Sequence, residues 1–175
     1  MVVVDAVRNF LRQQRPDRSC GSCTLCCKLM GVVALAKPVN AWCPHCRKGS
    51  GCTIYDDRPE ECRAYACEWL TNPALPEGLK PDRCRVVLSM LDEGGPFLHV
   101  IADPGFPGAL QDPLVRKAIE LARSRGIDVI AWVGKHRTVY ASSKPSSDVG
   151  RKANRLAGRD VPQADRPAAV DQRPR

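Results

Sequence analysis

The 175-residue sequence contains no apolar run of about 18 residues, so a membrane-spanning helix is excluded. Its first sixteen residues, MVVVDAVRNFLRQQRP, lack an apolar block long enough for a secretory signal, because Asp5 and Arg8 interrupt it. A cytoplasmic protein with reduced thiols is therefore expected. Aromatic residues make up only 5% of the chain, against 43% hydrophobic residues overall, so a core is allowed but must be built mostly from aliphatic side chains. No nucleophile elbow, phosphate-cradling loop, H-E-x-x-H motif, carboxylate pair or solenoid-type repeat is present. The sequence thus names no catalytic residue and leaves open whether the protein is an enzyme.

The formal net charge is +8. Half of that excess lies in residues 142–175, where eight Lys/Arg face four Asp. This tail holds no aromatic residue with which to stack a base, so specific nucleic-acid binding is not expected. Its sparse apolar content and accumulating Pro, Ser, Asp and Arg read as disorder. In the remainder, part of the basic excess can offset thiolate charge, which weakens any argument from the pI.

Cysteine is what the sequence has in abundance. There are ten, and nine fall within residues 20–67. In a reducing compartment such a cluster points to metal before disulfide. Few large apolar residues accompany them, so this segment is not expected to fold on packing alone. Residues 3–14 read as a helix, with Val3, Val4, Val7, Phe10 and Leu11 at helical spacing and Pro16 ending it. A second helix is expected from Asp57 toward Trp69, capped by Asp56 or Asp57, with Pro59 in its first turn. Residues 71–81 read as a loop. Beyond Cys84 the pattern changes. CRVVLSML and PFLHVIA read as a hairpin across DEGG, and DPGFPGALQ as a loop. Asp112 and Pro113 open a helix that Gly126 closes, and IDVIAWV and RTVYAS read as a second hairpin. The expected fold is α+β. An N-terminal helix (1–17) precedes a metal-stabilised cysteine module (18–84), a small hairpin–helix–hairpin unit (85–141) and the tail (142–175).

The first cysteine cluster is Cys20-Gly-Ser-Cys23-Thr-Leu-Cys26-Cys27. A two-residue gap lets two sulfurs converge on one ion while backbone amides stabilise the thiolates, and Gly21 permits the tight turn. Cys26 and Cys27 are neighbours whose side chains diverge; they can serve two metals, or one can ligate while the other packs. Cys43-Pro44-His45-Cys46, Cys52, Cys62 and Cys67 follow. Cys62 and Cys67 differ by about 140° on a continuous helix. Either the helix breaks near Ala64–Tyr65 or the two sulfurs go to different sites.

The pattern Cys20-x2-Cys23-x2-Cys26-Cys27, then Gly51-Cys52-x-Ile54-Tyr55-x2-Arg58-Pro59-x2-Cys62-Arg63-x-Tyr65, resembles the CxxCxxCC family of zinc- or iron-chelating domains, also called YkgJ-like. The resemblance covers roughly residues 18–70. It implies a cysteine-cluster metal site in the bacterial cytosol. That family includes flagellin lysine methylases, whose cluster is held to be iron–sulfur. Methylation is not carried over, because no Gly-rich loop suited to S-adenosylmethionine is present. Cys43 and Cys84 depart from a plain eight-cysteine scheme.

The candidate metal ligands are Cys20, Cys23, Cys26, Cys27, Cys43, Cys46, Cys52, Cys62 and Cys67. Nine thiols suit two four-cysteine zinc sites with one to spare. They also suit an iron–sulfur cubane, since Cys20, Cys23 and Cys26 follow the C-x2-C-x2-C run with a remote fourth ligand, with zinc slightly preferred. A structural zinc would contribute on the order of 10 kcal/mol to folding, comparable with a whole domain's stability. Redox catalysis at Cys43-Pro44-His45-Cys46 is the rival reading. It needs a helix beginning at Cys43, and Arg47-Lys48-Gly49-Ser50-Gly51 will not form one. His45 sits inside a C-x-x-C gap, where side chains point away. His99, His136 and Cys84 read as packed or surface residues, and Trp42, Tyr55, Tyr65 and Trp69 as a wrap that keeps water from the cluster. Arg58, Arg63 and Asp57 read as capping and ion-pairing residues rather than substrate contacts. The function expected is thiolate metal chelation; the alternative is an iron–sulfur enzyme or electron-transfer protein, and no protein partner is indicated.

Overall fold

A computed structural model describes residues 18–92 and 96–143, an α+β arrangement belonging to one compact unit. The helix expected over 3–14, the turn at residues 93–95 and nearly all of the tail lie outside those residues.

A four-stranded sheet organises the fold: β3 Val86–Asp92, β4 Pro96–Ala102, β5 Asp128–Val133 and β6 His136–Tyr140, adjacent in chain order. The β3–β4 and β5–β6 pairs are antiparallel, while β4 and β5 run parallel with Phe97 opposite Asp128. Parallel neighbours need a crossover. It is supplied by α5, Pro113–Ser124, whose Val115, Ile119 and Ala122 form a buried stripe. Asp112 caps this helix, accepting from the Leu114 and Val115 amides at 2.8 and 3.3 Å. At its other end Gly126 takes φ +81°, left-handed backbone that glycine adopts without strain. The stripe covers one sheet face: Val86, Leu88, Leu98, Val100, Ala102, Val129 and Ala131.

Strand β3 reads Val-Val-Leu without alternation because both its faces are covered. Val87, on the opposite face, is fully buried under Leu25 and Leu29. These come from α1, Leu25–Leu29, the short helix that also carries Cys26 and Cys27. A part-buried ion pair reinforces the contact: Lys28 Nζ lies 2.5 Å from the buried Asp103 Oδ1, just past the end of β4. The outer edge of β3 is partly stopped by Glu68, whose carboxylate accepts from the Met90 amide at 3.1 Å.

The helix expected from Asp57 to Trp69 is two helices, α2 Glu60–Ala64 and α3 Glu68–Thr71, separated by extended backbone at Tyr65. Neither Asp56 nor Asp57 caps it. Pro59 occupies the N-cap position and no side chain bonds there. The segment expected as loop over 71–81 contains a 3-10 turn, Glu77–Leu79, and leads into α4, Pro81–Cys84. Pro81 sits at the start of α4, where its missing N–H is no loss. The DPGFPGALQ stretch likewise holds a 3-10 helix, Pro107–Gln111.

Candidate metal centre

The cysteine segment is built from turns tied to one another by main-chain hydrogen bonds. Cys23 N donates to Cys20 O at 2.8 Å, closing the first C-x-x-C turn, with Gly21 at φ +51°. Cys46 N donates to Cys43 O at 3.1 Å, closing the second. No helix begins at Cys43. Instead, a two-residue strand pair follows, β1 Cys46–Arg47 and β2 Gly51–Cys52, with Cys46 opposite Cys52. This removes the helix dipole that a thioredoxin-type redox site needs. Cys43 N donates to Cys27 O at 3.0 Å, stitching the hairpin to α1. The Gly49 amide adds a bond to Thr24 Oγ1 at 3.2 Å. Gly51, at φ +116°, brings the hairpin beside the first turn, close to the Gly21 carbonyl.

The chain enters through Arg18. Its guanidinium donates to the carbonyls of Trp69, Asn72 and Leu75 at 2.6, 2.9 and 2.8 Å and stacks over the Trp69 ring at 4.7 Å. Arg18 thereby satisfies the open end of α3 and fixes the start of the Cys20 turn.

These elements enclose a cavity of about 610 Å³. Eight of the ten cysteines line it: Cys20, Cys23, Cys26, Cys27, Cys43, Cys52, Cys62 and Cys67. All ten are free thiols. The break between α2 and α3 is what lets Cys62 and Cys67, five residues apart, face the same space. Cys46 lies just off the cavity, its free thiol hydrogen-bonded to the Cys27 thiol and to the Thr24 side chain. His45 does not line the cavity. Cys84 is buried apart from it, its Sγ within bonding distance of the Leu79 and Val86 carbonyls, as a packed thiol should be. Among the described residues, no three Cys, His, Asp or Glu side chains converge as a group able to hold a single ion. The thiols are distributed round a wall rather than drawn to a point.

The wall is largely apolar. Tyr65, Trp69, Leu70 and Val87 back it, while Tyr55, 52% exposed, stands at its rim under the Arg58 guanidinium, 3.7 Å from the ring centre. Trp42 is not part of the wrap. It lies on the surface between Lys28 and Lys48. Arg58 donates to Tyr55 O and Arg63 to Arg58 O, so both guanidinium groups brace the loop before α2. The buried Trp69 Nε1 has no hydrogen-bond partner among the described residues.

Burial raises the thiols of Cys20, Cys23 and Cys62 above the ordinary cysteine range. It lifts Cys46 and Cys67 to about 11. The Cys27 thiol is raised most, first by its hydrogen bond with Cys26 and then by burial. Bare thiolates are therefore disfavoured in this apolar wall, and a bound cation would reverse the balance. Three cationic side chains line the cavity, Lys37, Arg58 and Arg63, and of these Lys37 is the buried one. Lys37 is 5% exposed and lines the same cavity, beside Cys26, Cys27, Cys43 and Cys62. Burial pulls its pKa down, and these thiols, when ionised, push it back up.

Among the described residues no helix is long and apolar enough to cross a membrane. No family model, curated protein or solved structure matches the chain.

Proposed function

We propose that the protein binds metal through clustered thiolates, as a cytoplasmic chelating domain resembling the CxxCxxCC family. The observation that carries the reading is the convergence of eight free thiols, from four separate stretches of chain, on one cavity. Packing alone gives no reason to gather so many soft donors round one space. Thiolate donors select zinc, copper(I) or iron–sulfur groups over hard cations. Cys20, Cys23, Cys26, Cys27, Cys43, Cys52, Cys62 and Cys67 would hold the metal, with Cys46 next to Cys27 as a reserve donor. The metal would neutralise the thiolates and cross-link segments that lie far apart in the sequence.

The residues fit a thiophilic metal, and the spacing bears on which one. Four sulfurs about 2.3 Å from one zinc lie within roughly 4 Å of each other. A cubane places each thiolate on a different iron and so holds its sulfurs farther apart. Thiols spread round a 610 Å³ cavity, with no single-ion grouping among the described residues, favour the second reading, an iron–sulfur protein in enzymatic or electron-transfer service. The unpartnered Trp69 N–H is a donor suited to a sulfur acceptor.

Anaerobic purification followed by analysis for zinc, iron and acid-labile sulfide tests both readings. Colourless protein with about two zinc per chain supports zinc chelation, and brown protein with matching iron and sulfide supports the cluster. Replacing Cys23 or Cys52 by Ser should then remove metal. Full metal content in both variants would show that the ligand assignment is wrong.

A further inference from the structure

A lysine at 5% exposure requires an explanation, because burying an ammonium group is costly unless it is hydrogen-bonded and faces opposite charge. The hydrogen bonds of Lys37 are accounted for. Its Nζ donates to the carbonyls of Lys28 at 3.3 Å, of Pro38 at 3.1 Å and of Met30. Its backbone is pinned as well, by paired amide–carbonyl bonds with Val32 at 2.9 and 3.0 Å. The charge is not accounted for in the same way. Among the described residues no carboxylate forms an ion pair with Lys37. The acidic groups that line the same cavity and act on its charge are thiols: Cys43, Cys27, Cys26 and Cys62.

Two roles compete. As a cap, Lys37 closes the carbonyls at the end of α1, a task that any neutral N–H donor can perform. As a counter-charge, it offsets the negative charge that four thiolates bring to an apolar wall, a task that only a cation can perform. A cap alone has no need of burial, whereas Lys37 is 5% exposed and lines the thiol cavity while it bonds those carbonyls.

We infer that Lys37 is a positioning residue for the metal centre, a fixed positive charge that stabilises the metal–thiolate group on its Cys27–Cys43–Cys62 side. The inference rests on the metal-binding reading above. It adds an electrostatic partner to the thiolate ligands, one that strengthens binding without itself touching the metal. Removing such a partner lowers metal affinity by roughly 10–100-fold at comparable sites.

The test is titration of the full-length reduced protein with cobalt(II) against a competing chelator, read through thiolate-to-cobalt charge-transfer absorption. Lys37→Gln keeps N–H donors for the α1 carbonyls and loses the charge. It should bind cobalt about 10–100-fold more weakly with its charge-transfer band retained, while Lys37→Arg should bind like the parent. A second pair leaves Lys37 in place. Met30 lines the same cavity and its carbonyl accepts from Lys37, so Met30→Glu should cancel the local charge and weaken binding, and Met30→Gln should not. This pair decides the matter should Lys37→Gln fail to fold. Equal affinity of Lys37→Gln and parent, or of the two Met30 variants, would overturn the role of Lys37 while leaving metal binding intact. Where the parent takes up no cobalt, anaerobic reconstitution with iron and sulfide is read on the same variants with the same expected order, and a parent that takes up neither cobalt nor iron and sulfide would overturn both.

Discussion

Replacing Lys28 by Met should loosen the hold of the cysteine helix on the sheet. Lys28 and Asp103 lie 2.5 Å apart, with side chains 18% and 3% exposed. At an effective dielectric of about 20, Coulomb's law gives a gross attraction of roughly 6–7 kcal/mol at that separation. The variant leaves the Asp103 carboxylate buried, with the Gly105 amide at 2.9 Å as its remaining bonded donor. An abandoned buried charge of this kind destabilises by about 3 kcal/mol. For a domain of this size that corresponds to a Tm lower by about 10 °C. Differential scanning calorimetry measures it directly, and the double variant Lys28→Met/Asp103→Asn should recover part of the loss because no charge is left stranded. A single variant that melts within about 2 °C of the parent, a shift worth less than about 1 kcal/mol, would refute the claim that this pair anchors α1 to the end of β4.

Three further outcomes follow from separate parts of the molecule. Asp112→Ala removes the cap of α5 and should lower stability by about 1 kcal/mol in a denaturant melt, leaving metal content unchanged. Cys84→Ser should also leave metal content unchanged in elemental analysis, since Cys84 faces the Leu79 and Val86 carbonyls and not the cavity. Burial holds the His99 imidazole below its usual pKa. The unfolded chain therefore binds the proton more readily, and stability should decline as pH falls through about 6.5; His99→Gln should flatten that part of the pH–stability curve.

The sheet half was legible because its signals are local. Asp112-Pro113 and Gly126 bracket α5, and the apolar periods of β4 and β5 show which face is inward. The cysteine half was legible as chemistry but not as shape. Spacing identified two C-x-x-C turns and left two alternatives for Cys62 and Cys67, a helix break or separate sites, of which the structure shows the break. It could not show α1, whose five residues are held by Val87 and Asp103, 58 or more positions further along the chain. Arg18 binding the end of α3 is equally non-local, as is Glu68 stopping the β3 edge. The failed Asp57 cap has a local cause that was overridden: Arg58 and Arg63 brace that loop, and Pro59 takes the N-cap position. Lys37 gave no sequence signal, because a lysine in a loop reads as solvated until the fold buries it.

Hydrogen exchange across residues 20–67, measured on reduced protein before and after exhaustive chelation, tests the account most directly. If thiolate–metal bonds hold this segment, its amides lose protection when the metal leaves, while β3 to β6 exchange more slowly than the cysteine turns. Unchanged protection over residues 20–67 in verified metal-free protein would contradict it.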